Sequence, residues 1–216
     1  MKVAITGGIG SGKSSVATVL AGLLSADLFS ADQVCHQLML PGASGWQGIV
    51  MTWGKRFLNA DDTINRATLR EAVFRDAAMR HRLETILHPL IRNMLKNSMA
   101  AVDKRGGVSV VEVPLLYEVQ WQDEFDIVIV VYAPETICID RICSRDGLGA
   151  EEAGRILETQ IPPEEKARLA AYVIDNSGLW AQTFQQVNRL VRLIGKKSGE
   201  DGKAIDSARQ GLTLQN

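Results

Sequence analysis

The stretch Val3 to Ser15, VAITGGIGSGKSS, constrains this chain more than any other. A short apolar run enters a loop reading Gly7, Gly8, Ile9, Gly10, Ser11, Gly12, Lys13, Ser14, which satisfies G-x-x-x-x-G-K-[ST] at every fixed position. Successive backbone N–H groups wrap a polyphosphate only where the chain turns through conformations that a Cβ obstructs, and the glycines permit this. In such a loop Gly8, Gly10, Ser11 and Gly12 face the phosphates through the backbone. Lys13 supplies a point charge, and Ser14 a hydroxyl for Mg²⁺, with Ser15 beside it.

The flanks agree with the motif. Val3, Ala4 and Ile5 suit a buried parallel strand, and Val16, Val19, Leu20, Leu23 and Leu24 recur at the spacing of an amphipathic helix. That helix aims its N-terminal N–H groups at the phosphates. The 216 residues suffice for one large domain or a domain with insertions, and a formal net charge of −1 sets up no field toward nucleic acid or anionic membrane. The N-terminus opens directly into a strand and no run approaches bilayer length, so a cytoplasmic protein is expected, with no membrane or nucleic-acid partner. Cys35, Cys138 and Cys143 lack C-x-x-C spacing, and His36, His81 and His88 form no zinc pattern; reduced structural thiols are expected.

In chain order, Asp27 to Ser30 reads as a second strand, and Asp32 opens a helix running to about Leu40, where Pro41-Gly42 stops it. Ligands of open α/β sheets gather at strand carboxyl ends, so Asp32 reads equally as a base toward an attacking hydroxyl and as an N-cap. Residues 44–105 are helical in pattern, with turn signals at Gly54, Asn59 and Asp61-Asp62. Arg66, Arg70 and Arg75 punctuate Leu69, Val73 and Phe74, and His88-Pro89-Leu90-Ile91-Arg92 opens a long helix with Pro89 in its first turn. Val108 to Val113 is a central parallel strand ending near Glu112, a carboxylate suited to anchoring Mg²⁺, and Asp126 to Tyr132 is a fourth. Pro134-Glu135 starts a helix carrying Arg141 and Arg145 on one face. A second helix follows from Ala150 to Gln160, then a short one from Glu164, a last strand at Tyr172 to Asp175, and a closing helix near Trp180 to Ile194. Arg141 and Arg145 read either as lid arginines that stabilise a transferring phosphoryl or as partners of neighbouring carboxylates. A polar, mobile tail is expected from Gly195.

TGGIGSGKS at Thr6 to Ser14, ADQVCHQL at Ala31 to Leu38, Arg66 with Leu69, LHPLIR at Leu87 to Arg92, VPLLYE at Val113 to Glu118, Arg141-x-x-x-Arg145, Gln160, Lys166 and VIDNSG at Val173 to Gly178 together resemble the dephospho-coenzyme A kinase family. The resemblance implies a three-layer α/β P-loop kinase fold with a five-stranded, mainly parallel sheet. It places the core at about 1–40, 106–140 and 170–194, an inserted helical acceptor-binding region at about 41–105, and a helical lid at about 141–169. It implies phosphoryl transfer from ATP, with Mg²⁺, to the ribose 3′-hydroxyl of dephospho-coenzyme A, the last step of coenzyme A synthesis, by a monomer or weak homo-oligomer. By this resemblance Asp32, Lys13 and Arg141 are catalytic, and Asp32, His36, Arg70, His88, Pro89, Arg92, Pro114 and Leu115 bind the acceptor. Gly8, Gly10, Ser11, Gly12, Lys13, Ser14, Ser15, Arg145 and Asn176 bind the nucleotide, and Ser14 the metal.

The chain departs from the family at Ser30 and Ala171, where aspartates are usual, at Glu112, where aspartate is common, and at Ser15, where threonine is usual. Two rival readings remain at this point: a kinase for another small acceptor, and a P-loop switch. A guanine-specific switch carries N-K-x-D, which this sequence lacks.

Overall fold

The computed structural model describes residues 1–199, with side chains described through residue 194. Two compact units divide the chain, one built from residues 1–28 together with those from 105 onward, the other from 29–104.

Five strands, β1 (Lys2–Thr6), β2 (Asp27–Ser30), β3 (Ser109–Glu112), β4 (Ile127–Tyr132) and β5 (Tyr172–Asp175), form one sheet in the order β2-β3-β1-β4-β5. β1 pairs in parallel with β3 and with β4, and β4 with β5. The central place of β1 follows from its sequence: Val3, Ala4 and Ile5 are apolar in succession and wholly buried, which only a strand covered on both faces requires. Strands laid down later in the chain lie to either side of β1, so the loop leaving its carboxyl end sits where such sheets open a ligand crevice.

Helices α1 (Lys13–Leu24) and α9 (Trp180–Gly199) pack with the sheet into one core, Val16 and Leu20 meeting Val187, Leu190, Ile194 and the strand residues Ile5, Val110 and Ile129. The inward face of α1 differs from the expected one. Ala17 and Ala21 are buried while Leu23 is 42% exposed, because small residues let this helix lie close to its neighbours and rotate Leu23 outward. A second core joins α6 (Glu135–Asp146) to α7 (Ala150–Leu157) through Cys138, Ile142, Ala153 and Leu157, and α8 (Pro163–Leu169) follows. The helix expected to reach Gln160 ends at Leu157. The closing helix overruns the expected tail boundary: α9 continues to Gly199, through Lys196 and Lys197, which are good helix formers. Residues 200–216 of that expected tail lie outside the described residues.

The second unit holds α2 (Ala31–Leu38), α3 (Ser44–Trp53), α4 (Arg66–Arg75) and α5 (Ala77–Asp103). Ile49, Phe57, Ile64 and Leu69 form its core, with the Trp53 and Phe57 rings edge to face at 5.8 Å. Gly48 lets α3 press on α5, since a Cβ there falls 2.6 Å from a methyl of Ile86.

Pro89 lies inside α5, thirteen positions beyond Asp76, and not in a first turn as expected. The helix begins where the Asp76 carboxylate accepts from the N–H groups of Ala78 (2.8 Å) and Met79 (3.1 Å), a cap that outweighs the proline's preference for a helix start. It survives the proline because Leu87, Ile91, Leu95, Met99 and Val102 bury one continuous stripe. Pro89 and Thr85 are both exposed, so the break that the proline makes in the ladder falls on the exposed side of the helix.

Candidate functional site

The phosphate loop joins β1 directly to α1. Gly12 is the cap residue of α1, at φ 84°, and has no side chain to satisfy the first helical N–H groups. That leaves the helix N-terminus with donors directed outward, as an anion site requires. Gly10, at φ 80°, allows the closest approach of α6, because a Cβ there lies 2.6 Å from the Cys138 carbonyl oxygen. The Ser11 hydroxyl is buried and has no hydrogen-bond partner among the described residues, leaving a polar group inside the loop for a ligand oxygen.

Lys13 reaches back over the loop, its Nζ donating to the Gly8 carbonyl at 3.4 Å. The Ser14 hydroxyl donates to Glu112 Oε1 at 2.7 Å. Strand register produces this pair: Glu112, the last residue of β3, lies opposite Ile5 of β1, so its buried carboxylate stands beside the start of α1. Among the described residues no three or more His, Cys, Asp or Glu side chains gather as a metal cluster. A hydroxyl hydrogen-bonded to one carboxylate, next to a phosphate loop, is nevertheless the donor set that suits Mg²⁺, an ion that keeps several waters and takes its other oxygens from phosphates.

Arg141 and Asn176 lock the far side of the loop. Arg141 Nη1 donates to the carbonyls of Gly10 (3.3 Å) and Ser11 (3.4 Å), and Nη2 to that of Asn176 (2.8 Å). The buried Asn176 amide donates to the Ser11 carbonyl at 2.7 Å, while its Oδ1 accepts from the Thr183 hydroxyl at 2.9 Å. Of the two readings left open for the arginine pair, Arg141 is held by loop carbonyls. Arg145 forms a fork with its neighbour Asp146, at 2.8 and 2.7 Å, on the exposed end of α6. Pro114 and Leu115 follow β3, the Pro114 carbonyl accepting from the Thr6 hydroxyl at 3.2 Å.

The remaining expected residues belong to the helical unit. Ser30 caps α2, its hydroxyl accepting from the Gln33 N–H at 3.4 Å, so Asp32 is not the N-cap and stands exposed in the first helical turn with His36 one turn on. Burial pushes the Cys35 thiol above its ordinary pKa; the Asp32 carboxylate adds to the shift and the Arg66 guanidinium opposes it, which puts all three in one electrostatic neighbourhood. Arg70 is exposed on α4. His88 and Arg92 are one turn apart on α5, with Pro89 between them. Burial holds the His88 imidazole below its ordinary pKa, against the raising effect of Glu84. Thr183 escapes a reading by motif, since it carries no local signal.

A family model described as dephospho-CoA kinase matches residues 1–182. The chain belongs to the dephospho-CoA kinase family. A dephospho-CoA kinase of Desulfotalea psychrophila is 40% identical over 187 residues, covering 87% of this chain and 94% of that protein. The solved structure of dephospho-CoA kinase from Campylobacter jejuni is similar, with a TM-score of 0.68 and 30% identity, covering 92% of this chain and 100% of that one. Shikimate kinase from Acinetobacter baumannii, at 18% identity and a TM-score of 0.53 over 91% of this chain and 93% of that one, shares the fold alone. Membership in the dephospho-CoA kinase family decides between the readings that the loop left open: the chain is an ATP-dependent phosphotransferase and not a switch.

Proposed function

We propose that this chain transfers the γ-phosphoryl group of ATP to the ribose 3′-hydroxyl of dephospho-coenzyme A, giving coenzyme A and ADP. The observation that carries the donor half is the uncapped N-terminus of α1 with the Ser14–Glu112 pair beside it. Phosphoryl transfer needs positioning and charge neutralisation more than covalent help from the protein, and a glycine loop with Lys13 and Arg141 offers both. Ser14 and Glu112 are the residues that would hold Mg²⁺, whose chemistry when bound is to neutralise phosphate charge.

The acceptor half is assigned to the helical unit and to the turn after β3. Asp32 takes the proton from the 3′-oxygen as that oxygen bonds to the γ-phosphorus and the bond from that phosphorus to the ADP oxygen breaks; the proton then passes to water. Its exposure and its freedom from a capping role support this assignment. His36, Arg70, His88, Pro89, Arg92, Pro114 and Leu115 bind the acceptor; cationic Arg70 and Arg92 suit its pyrophosphate. Arg145 joins Arg141 at the nucleotide by exchanging its Asp146 fork for phosphate, and Gly8, Gly10, Ser11, Gly12, Ser15 and Asn176 complete the nucleotide site.

The reading includes a cytoplasmic enzyme acting as a monomer or weak homo-oligomer. Among the described residues no helix is long and apolar enough to cross a membrane. Mass and ³¹P spectra of the product made from Mg·ATP and dephospho-coenzyme A test it. A new phosphomonoester on the ribose 3′-oxygen is expected, and phosphate appearing only as free inorganic phosphate contradicts it.

A further inference from the structure

Lys166 is wholly buried, an unusual place for an ammonium group, and it lies on α8 with no role assigned to it above. Its Nζ meets Glu118 Oε1 at 2.7 Å and donates to the Pro114 carbonyl at 3.0 Å. The same Glu118 oxygen accepts from the Ile161 N–H at 3.0 Å. One residue earlier, Gln160 Oε1 accepts from the Ile9 N–H at 3.1 Å. The Pro114 carbonyl in turn accepts from Thr6, the last residue of β1. The strap from Leu157 to Lys166 therefore touches the phosphate loop at Ile9 and the turn just after β3 at Pro114, whose carbonyl it shares with Thr6. Pro163 and Leu157 also close on Gly8, where a Cβ would lie 3.7 and 3.8 Å from their side chains.

We infer that Glu118, Lys166 and Gln160 are positioning residues that set the outer wall of the phosphate loop and the Pro114 turn from one buried anchor. A buried ion pair gives little net stability compared with apolar residues of the same size, so stability alone is a weak reason to place one there. Fixing the direction of three backbone groups is a task that an apolar pair cannot perform. Gln160 occupies the Ile9 N–H from outside the loop and leaves the inner N–H groups to the ligand. Lys166 and Glu118 hold the strap that carries Gln160, and hold the Pro114 carbonyl as well. This inference rests on the kinase reading for the effect on turnover, but not for the effect on nucleotide binding.

Two variants separate positioning from plain stability. Gln160→Leu removes only the bond to Ile9. The double variant Lys166→Met with Glu118→Gln removes both charges, avoids the unpaired buried carboxylate that Lys166→Met alone creates, and keeps an acceptor for Ile161. Binding of Mg·ATP is measured by calorimetry without acceptor, beside thermal unfolding and the KM values for ATP and dephospho-coenzyme A. Both variants are expected to unfold within about 4 °C of the parent while binding ATP roughly tenfold more weakly, the effect of about one lost hydrogen bond. Gln160→Leu raises KM for ATP alone, and the double variant raises KM for both substrates because Pro114 is also released. Parental ATP affinity in both variants overturns the inference, whatever their melting temperatures. Absence of turnover with dephospho-coenzyme A in the parent contradicts the proposed function and leaves the binding comparison standing.

Discussion

The Ser14 hydroxyl and the Glu112 carboxylate, 98 residues apart in sequence, meet at 2.7 Å because the last residue of β3 is in register with Ile5 at the end of β1. Glutamate at this place reaches Ser14 although its side chain is one methylene longer than the aspartate common in the family. Glu112→Gln keeps the size and removes the charge that favours a cation. The Mg²⁺ concentration for half-maximal turnover is expected to rise by roughly 10- to 100-fold, the range found when a partner of a metal-binding residue is lost. A magnesium titration of ADP release checks this, and an unchanged midpoint removes Glu112 from the metal site.

Gly12 combines a left-handed backbone with a side-chain position that the Asn176 amide already fills. Gly12→Ala both strains the loop and displaces Asn176 from the Ser11 carbonyl, at a cost of the order of 1–3 kcal/mol for such backbone strain. ATP binding is expected to fall by at least tenfold, with melting lowered by roughly 2–12 °C. Calorimetry with Mg·ATP reads the first quantity and thermal unfolding the second.

Pro89 breaks the hydrogen-bond ladder of α5 on its exposed side. Pro89→Ala restores the donor to the Thr85 carbonyl and is expected to raise the melting temperature, since proline in a helix interior costs up to about 3 kcal/mol relative to alanine. If Pro89 shapes the acceptor surface as proposed, KM for dephospho-coenzyme A rises at the same time while KM for ATP does not. A variant that is more stable and kinetically unchanged assigns Pro89 no part in binding.

His88 gives a pH dependence whose sign is fixed by its depressed folded-state pKa. The unfolded chain takes up the proton first as pH falls, so His88 contributes full stability above its ordinary pKa. That contribution is lost progressively as pH drops through the ordinary value toward the folded one. Melting temperatures between about pH 7 and pH 5 are expected to fall less steeply for His88→Gln than for the parent, and parallel curves contradict the assignment.

Much of this was legible in the sequence where chemistry is local. The glycine loop, its lysine and serine, and the five strands are written in short contiguous segments; β1 extends one residue beyond the expected Val3–Ile5 at each end, and the other four strands fall on or within the expected ones. Pro89 misleads because its preference for a helix start is a local tendency, and the Asp76 cap with the Leu87–Val102 stripe outweighs it. Leu23 misleads in the same way, since spacing alone does not show that Ala17 and Ala21 form the packed seam. Asp32 left two readings open until the Ser30 hydroxyl was seen to cap α2. The grouping of Glu118, Gln160 and Lys166 was not legible at all, because strand register and a turn after β3 bring them together and no periodicity records that.

The most direct measurement is ADP release with Mg·ATP across a panel of dephospho-coenzyme A, AMP and other small hydroxyl acceptors, for the parent protein and for Asp32→Asn. Turnover with dephospho-coenzyme A alone is expected, together with a loss of about 10²- to 10⁴-fold in kcat for Asp32→Asn and unchanged ATP binding in that variant. Turnover with another acceptor but not with dephospho-coenzyme A contradicts the proposed function, and full activity in Asp32→Asn contradicts the proton-accepting role given to Asp32.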